Sequence, residues 1–124
     1  MEQKSLSKLY GNDIMFVEEN KTQKALKIIL LQKKGGKNCA RIIEKLFIRP
    51  YNSNQMAKEL HISYNTAYYH FQIMLKYDLI NKMPSKYGTF YVAKQNLINE
   101  KESFEEIKKI NYRLIKYRCC NDIS

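Results

Sequence analysis

The chain has 124 residues, a length that suits one domain with a short accessory element. Its net charge of +10 favours a polyanionic partner, although basic charge can also serve solubility alone. The odd number of cysteines (Cys39, Cys119, Cys120) argues against a disulfide framework. There is no signal-peptide pattern and no run of about 18 apolar residues. We therefore expect a cytoplasmic protein without a membrane partner.

The first segment, residues 1–36, is predicted to be an N-terminal extension that serves as an accessory or dimerisation element. The segment from Ala25 to Leu31 allows two interpretations. Leu26, Ile29 and Leu30 fit helical spacing, whereas the apolar run from Ile28 to Leu31 would also suit a buried strand. We interpret them as part of a helix from about Thr22 to Gln32. Gly35-Gly36 then breaks the chain.

An apolar stripe predicts the next helix. Its members recur at helical spacing: Cys39, Ile42, Ile43, Leu46 and Phe47. Asn38 is a suitable N-cap, and Pro50 disfavours helical geometry at Arg49, so the helix should end near there. This placement also makes Cys39 a core thiol rather than a reactive one.

A short helix is predicted to follow, because Asn52 and Gln55 match a capping box and apolar residues continue to Leu60. Its buried residues are predicted to be Met56, Ala57 and Leu60. Ser63 can cap a further helix, so His61 should lie in a tight turn between the two. Such a turn needs a residue at positive φ, and His is among the few residues other than Gly that are enriched there.

The helix predicted from Tyr64 to Tyr77 has two chemically different faces. At about 100° per residue, one face carries Ala67, His70, Phe71 and Met74. The opposite face carries Asn65, Tyr69, Gln72 and Ile73, with Tyr68 on the flank. A merely solvated helix would more often expose Lys and Glu, yet no cation occurs here before Lys76. Asn and Gln bond adenine bidentately in the major groove, and the hydroxyls of Thr66 and the tyrosines can reach phosphates or base edges.

Two strands are predicted next, from Leu79 to Met83 and from Thr89 to Ala93, with a turn over residues 84–88 between them. Lys86 would lie at the tip of this hairpin and Lys82 on its first strand. Such cations can contact the phosphate backbone, or they can simply protect an exposed edge from aggregation. We favour phosphate contact for Lys86 and leave both interpretations open for Lys82.

A C-terminal helix is predicted from Asn96 within the last segment, residues 96–124. Ser103 and Glu106 match a second capping box, so a break or restart near residue 103 is possible. The helix carries an apolar stripe with one amide: Phe104, Ile107, Ile110, Asn111 and Leu114. The stripe must either cover its own domain or pair with a partner chain. We predict dimerisation, with Asn111 fixing the register.

Taken together, residues 41–92 resemble the winged helix-turn-helix domain of ArsR-like and related archaeal and bacterial transcriptional regulators. The matching residues are Asn52-x-x-Gln55-Met56-Ala57-x-x-Leu60, then Ile62-Ser63, then Asn65-Thr66-Ala67-Tyr68-Tyr69-His70-Phe71, then Leu79-Ile80, and the hairpin end Phe90-Tyr91-Val92. The predicted fold is mainly α with a small β-hairpin, an α+β class. A winged helix-turn-helix over residues 37–95 would lie between the N-terminal extension and the C-terminal helix.

The resemblance implies double-stranded DNA as the partner, with the helix at 64–77 in the major groove and the wing at 79–93 on the backbone. It implies DNA contacts from Tyr64, Asn65, Thr66, Tyr68, Tyr69, Gln72, Lys82, Lys86 and Tyr87. Members are usually homodimers joined through terminal helices, which suits the C-terminal stripe. The chain departs from the family at His61, where Gly is common, and in lacking the Cys-rich metal-sensing motif. We therefore predict no metal and no cofactor.

Enzymatic activity is not predicted. His61 lies in a turn and His70 faces the core, no Gly-rich phosphate loop is present, and adjacent Cys119-Cys120 lack the spacing of a zinc site. The main alternative is a winged-helix protein–protein interaction module within a larger transcription or replication assembly, since Tyr is enriched at protein interfaces. Binding of single strands is a third interpretation, because exposed Tyr can stack on bases.

Overall fold

The computed structural model describes residues 19–32 and 35–110. Within these ranges the chain is mainly helical with a small three-stranded antiparallel sheet, so the predicted α+β class is confirmed. In order, the elements are α1 (Lys21–Lys27), a π-helical turn (Ile28–Gln32), α2 (Gly36–Leu46), β1 (Tyr51–Asn52), α3 (Ser53–Leu60), α4 (Tyr64–Lys76), β2 (Ile80–Ser85), β3 (Gly88–Ala93), α5 (Gln95–Asn99) and α6, helical over residues 101–110. None of the described helices is long and apolar enough to cross a membrane.

Helix α1 begins at a complete capping box. The Gln23 N–H donates to the Asn20 side chain at 2.8 Å, and the Asn20 N–H donates to the Gln23 side chain at 3.1 Å. The helix runs directly into the π-helical turn, whose Ile29 and Leu30 are buried with Leu26. The predicted helix over about residues 22–32 is confirmed, although its last part is π rather than α. The strand interpretation of this segment is wrong.

Helix α2 starts earlier than predicted, and the expected cap at Asn38 is wrong. The N-cap is Gly35, whose φ of 84° lies in the left-handed region that favours glycine. Gly36 follows in close contact with the preceding turn: a Cβ there would lie 2.3 Å from the Leu30 carbonyl oxygen. Asn38 is inside the first turn and accepts a hydrogen bond from Arg41 Nη1 at 3.2 Å. The left-handed Gly35 and the close contact of Gly36 with Leu30 therefore fix where α2 begins.

Helices α3 and α4 form as predicted. The Gln55 N–H donates to Asn52 Oδ1 at 2.7 Å, completing the expected capping box, and the Thr66 N–H donates to Ser63 Oγ at 3.0 Å. Between the helices, His61 adopts the left-handed conformation, with φ 58° and ψ 45°. The Ile62 N–H then bonds the Ala57 carbonyl at 3.0 Å and closes the turn.

The sheet has the strand order β1-β3-β2, with β3 antiparallel to both neighbours. The predicted hairpin is confirmed, but its turn contains only Lys86 and Tyr87 and is shorter than the predicted turn over residues 84–88. Pro84 belongs to β2, an edge strand that pairs with β3 alone. Pro is tolerated there because an edge strand needs ladder hydrogen bonds on one side only. Strand β1 was not predicted, and it pairs Tyr51 with Tyr91.

Helices α5 and α6 cover the core of the same chain. Leu97, Phe104 and Ile107 are buried, and the Phe104 ring meets Phe47 edge to face at 5.5 Å between centroids. Lys108 pairs with Glu44 of α2. The stripe predicted for dimerisation therefore contributes two residues to this core, while Ile110 stays 42% exposed. Its other members, Asn111 and Leu114, lie outside the described residues, as do Cys119 and Cys120.

The break between the last two helices falls at Glu100, so the predicted break near residue 103 is confirmed, but Ser103 is not the cap of the new helix. Ser103 lies within α6, and its hydroxyl donates to the Glu100 carboxylate at 3.0 Å. That carboxylate also accepts from Asn20 Nδ2 at 2.8 Å and Gln23 Nε2 at 3.1 Å. The hydrogen bond from Asn20 holds the pKa of Glu100 below its ordinary value. Glu100 thus joins α1 to the start of α6.

One polar pair lies inside the core. Cys39 Sγ is 3.4 Å from His70 Nδ1, and both side chains are buried. Burial raises the pKa of Cys39 to about 12, so the thiol stays protonated. Burial lowers the pKa of His70, which favours its neutral form. The predictions of a core thiol at Cys39 and an inward His70 are confirmed.

Replacing Gly36 by Ala should lower the free energy of unfolding by about 1–3 kcal/mol, the usual cost of overpacking. The added methyl would collide with backbone, which cannot swing away as a side chain can. Urea denaturation measures the loss. Lys37→Ala is the matched control, because Lys37 is exposed on the same turn and should change stability by less than about 0.5 kcal/mol. Equal stability of the two variants would contradict the close contact.

His70 should make folding sensitive to mild acid. In the unfolded chain His titrates near 6.5, whereas the folded pKa is lower, so the unfolded state binds more protons as pH falls through that window. Stability should then fall from about pH 7 to about pH 5.5, by at most about 1.4 kcal/mol per pH unit for one proton.

Urea titrations across this range check the slope. His70→Asn should lose it whatever its absolute stability, and His61→Gln, at the other histidine of the chain, is the matched control. A slope that persists in the His70 variant would assign the acid sensitivity to another group.

Candidate functional site

Helix α4 turns its polar and aromatic side away from the core. The predicted inward residues Ala67, His70, Phe71 and Met74 are all buried. On the opposite side Asn65 is exposed, and Tyr64, Tyr68 and Tyr69 are 54%, 46% and 58% exposed. The Ser63 cap and the inward packing fix the helix, so this exposed face is rigidly presented.

Two of the predicted contact residues on α4 are already bonded within the chain. Thr66 Oγ1 lies 2.8 Å from Ser63 Oγ, and Gln72 Nε2 donates to the Tyr91 hydroxyl at 3.3 Å. Both side chains are half-buried. Gln72 can therefore offer only part of its amide to a ligand unless it gives up Tyr91. Asn65 is exposed and is the better candidate for direct recognition.

Tyr91 connects α4 to the sheet. It is 3% exposed, and its ring stacks on Phe71 with centroids 4.1 Å apart and an interplanar angle of 13°. Its hydroxyl accepts a hydrogen bond from Gln72 Nε2. Burial raises the pKa of Tyr91, so it remains a neutral phenol. Tyr91 therefore ties the hairpin to α4.

A cleft of about 280 Å³ opens between the starts of α3 and α4 and the tip of the hairpin. We call it the tyrosine cleft. It is lined by Asn52, Ser53, Asn54, Tyr64, Tyr68, Tyr87, Gly88, Thr89 and Tyr91. Tyr64 and Tyr68 lie one helical turn apart and stack nearly parallel, with centroids 6.2 Å apart and an angle of 12°. The cleft thus has an aromatic wall and a polar rim.

The structure brings three predicted contact residues into this cleft, Tyr64, Tyr68 and Tyr87. Asn65 and Tyr69 lie on α4 outside the lining, and Lys82 and Lys86 lie on the hairpin outside it. The lining residues that were not predicted as contacts are Asn52, Ser53, Asn54, Gly88, Thr89 and Tyr91. They were missed because β1 is only two residues long, and its pairing with β3 is what brings the start of α3 beside the hairpin.

The hairpin carries cations that no acidic side chain within residues 19–32 and 35–110 neutralises. Lys82 and Lys86 are exposed, and neither forms a salt bridge with any described residue. Lys94, by contrast, pairs with Asp78 at 2.6 Å. Lys82 is directly opposite Tyr91 in the ladder, so both project from the sheet face that meets α4. Positive charge is therefore available beside the exposed face of α4.

Side chains that can stack and form hydrogen bonds line the tyrosine cleft. Its described lining residues supply aromatic rings, amides and hydroxyls, and none of them supplies a carboxylate, imidazole or thiol. Across residues 19–32 and 35–110, no group of three or more His, Cys, Asp or Glu side chains is placed to hold a metal ion. No protein-family model, curated protein or solved structure matches this chain.

Proposed function

We propose that this protein is a sequence-specific transcriptional regulator that binds duplex DNA through a winged helix-turn-helix domain. In this proposal α4 is the recognition helix in the major groove, and the β2–β3 hairpin is the wing on the backbone. The observation that carries it is the exposed face of α4, with Asn65 and the tyrosines, beside hairpin lysines that form no salt bridge with a described residue.

The order of elements supports this proposal. Helices α3 and α4 are joined by a short turn through His61 and Ser63, and the hairpin follows α4 directly. In a helix-turn-helix the first helix supports the second, whose N-terminal part enters the groove. Ser63 caps α4 at that end, and Asn65 and Tyr68 lie in its first turns. Asn65 and Tyr68 thus lie in the part of α4 that would enter the groove first.

The roles differ among the candidate residues. An exposed Asn can bond adenine at N6 and N7, so we assign base recognition to Asn65. Lys82 and Lys86 would neutralise phosphates, which adds affinity without sequence preference. Gln72 is assigned a supporting role, because its amide holds the Tyr91 hydroxyl. Tyrosine hydroxyls at the edge of α4 are suited to phosphate or base-edge contacts.

A homodimer is part of the proposal. Two recognition helices about 34 Å apart would enter successive major grooves. Phe104 and Ile107 fill the chain's own core, so a contact through α6 would use Ile110 and the stripe beyond it. Asn111 and Leu114 of that stripe lie outside the described residues, and their pairing remains a prediction.

A protein-interaction module is the second candidate, and a specific observation favours it. Tyr64, Tyr68, Tyr69 and Tyr87 expose between 46% and 79% of their surface on one side of the chain. Tyr is enriched at protein interfaces, where a rigid ring contributes area at small entropic cost. Salt separates the two candidates, since DNA affinity falls steeply with ionic strength and a Tyr-driven contact does not.

Replacing Asn65 by Ala should relax the preference at one base pair by about 1–3 kcal/mol, because a bidentate contact to adenine is lost. Titrating the variant against the preferred duplex and its single-base-pair derivatives measures this. Asn81→Ala is the matched control, since Asn81 is exposed on the sheet face that points away from α4. An unchanged preference in the Asn65 variant would remove this residue from the base-reading set.

Replacing Lys86 by Ala should weaken binding to all duplexes alike. The slope of log affinity against log salt should become shallower by about 0.9, the value for one phosphate contact. Lys109→Ala removes the same charge from exposed α6 and should leave the slope unchanged. If the two variants have the same slope as the unmodified protein, the hairpin tip does not touch phosphate.

A further inference from the structure

The tyrosine cleft offers ring faces and rim groups that the proposed duplex contacts do not use, because those contacts draw on tyrosine hydroxyls, Asn65 and the hairpin lysines. Its wall is the Tyr64–Tyr68 stack, and Tyr87 stands at the opposite rim with 79% of its surface exposed. Along the rim, the side chains of Asn54 and Thr89 make no hydrogen bond with any described residue. The cleft therefore presents ring faces on one side and unused polar groups on another.

The lining restricts the class of ligand. Among the described residues, no charged side chain lines the cleft, so these residues offer no cation to hold a phosphate or a carboxylate. None of the described lining residues is aliphatic, which argues against a lipid chain. A neutral planar ring with a polar edge satisfies both halves of the lining, because its face stacks on Tyr and its edge bonds amides and hydroxyls. The volume of about 280 Å³ suits one such ring system rather than a dinucleotide.

We propose that the tyrosine cleft binds one unpaired nucleobase, stacked against the Tyr64–Tyr68 pair and bonded at its edge by Asn54 and Thr89. The inference rests on the proposed function in that it takes nucleic acid to be what meets this face. The base can come from an extrahelical nucleotide of the bound DNA or from a free nucleoside. The chemistry recognised is the same in both cases.

The test compares three duplexes that share one sequence: fully paired, with a single bulged adenine, and with an abasic residue at the bulge. Affinities are measured by fluorescence anisotropy at one salt concentration. The abasic bulge keeps the backbone distortion and the phosphate, so only the base differs. We expect the adenine bulge to bind about tenfold more tightly than the abasic bulge, the order expected for stacking one base. Equal affinities for the two bulges would overturn the proposal.

Variants assign the effect to the cleft. Tyr68→Leu should abolish the advantage of the adenine bulge, because the aromatic face is lost, whereas Tyr68→Phe should retain most of it. Tyr69→Leu is the matched control: Tyr69 is 58% exposed on the same helix but does not line the cleft. An advantage that survives Tyr68→Leu, or that Tyr69→Leu abolishes equally, would overturn the assignment. Circular dichroism confirms that each variant is folded.

Adenosine distinguishes the sources of the base. If millimolar adenosine displaces the adenine-bulge duplex to the level of the abasic one, the cleft accepts a free nucleoside. If it does not, while the bulge advantage persists, the base must arrive on a strand.

Binding to the fully paired duplex tests the proposed function separately from this inference. Sequence-selective binding of paired DNA with equal bulge affinities would refute the inference alone, and a bulge advantage without sequence selectivity would refute the regulator proposal alone.

Discussion

The burial of Tyr91 determines how the hairpin lies against the helices. Its ring stacks on Phe71 of α4, its hydroxyl accepts a hydrogen bond from Gln72, and its backbone pairs with β1 and β2. A buried phenol needs hydrogen-bond partners, and an unmet hydroxyl costs about 1–3 kcal/mol. These requirements are met in one arrangement, in which α3, α4 and the hairpin meet at the same place.

The surface proposed for recognition follows from that arrangement. With the inner side of α4 committed to the core, its opposite side presents Asn65 and three tyrosines to solvent. The hairpin, held by Tyr91, places Lys82 beside that side and Lys86 at its tip. Rings, amides and cations therefore share one side of the chain. Amides and cations can bind a polyanion, and the rings can stack on a base.

Local sequence patterns were sufficient to predict the helices at the centre of the fold. The caps at Asn52 and Ser63, the left-handed turn at His61 and the inward residues of α4 all depend on neighbours within one or two helical turns. These patterns are visible in the chain, and each was confirmed. The outward direction of Asn65 followed from the same periodicity.

Features that depend on distant contacts could not be predicted in this way. Strand β1 is too short to show a period, so the pairing of Tyr51 with Tyr91, and with it the tyrosine cleft, was missed. The start of α2 was misplaced because Gly36 packs on the backbone of Leu30, which no local pattern reports. The stripe at Phe104 showed that α6 must bury a face, but not whether its own domain or a partner would cover it.

The central claim is that this surface binds duplex DNA by sequence. Selection from a random duplex library with the full chain, at about physiological salt where the Debye length is near 8 Å, tests it most directly. The account predicts an enriched symmetric motif whose half-sites lie about one helical turn apart. A pool that retains no enriched sequence would contradict it and would direct attention to a protein partner for the exposed tyrosines.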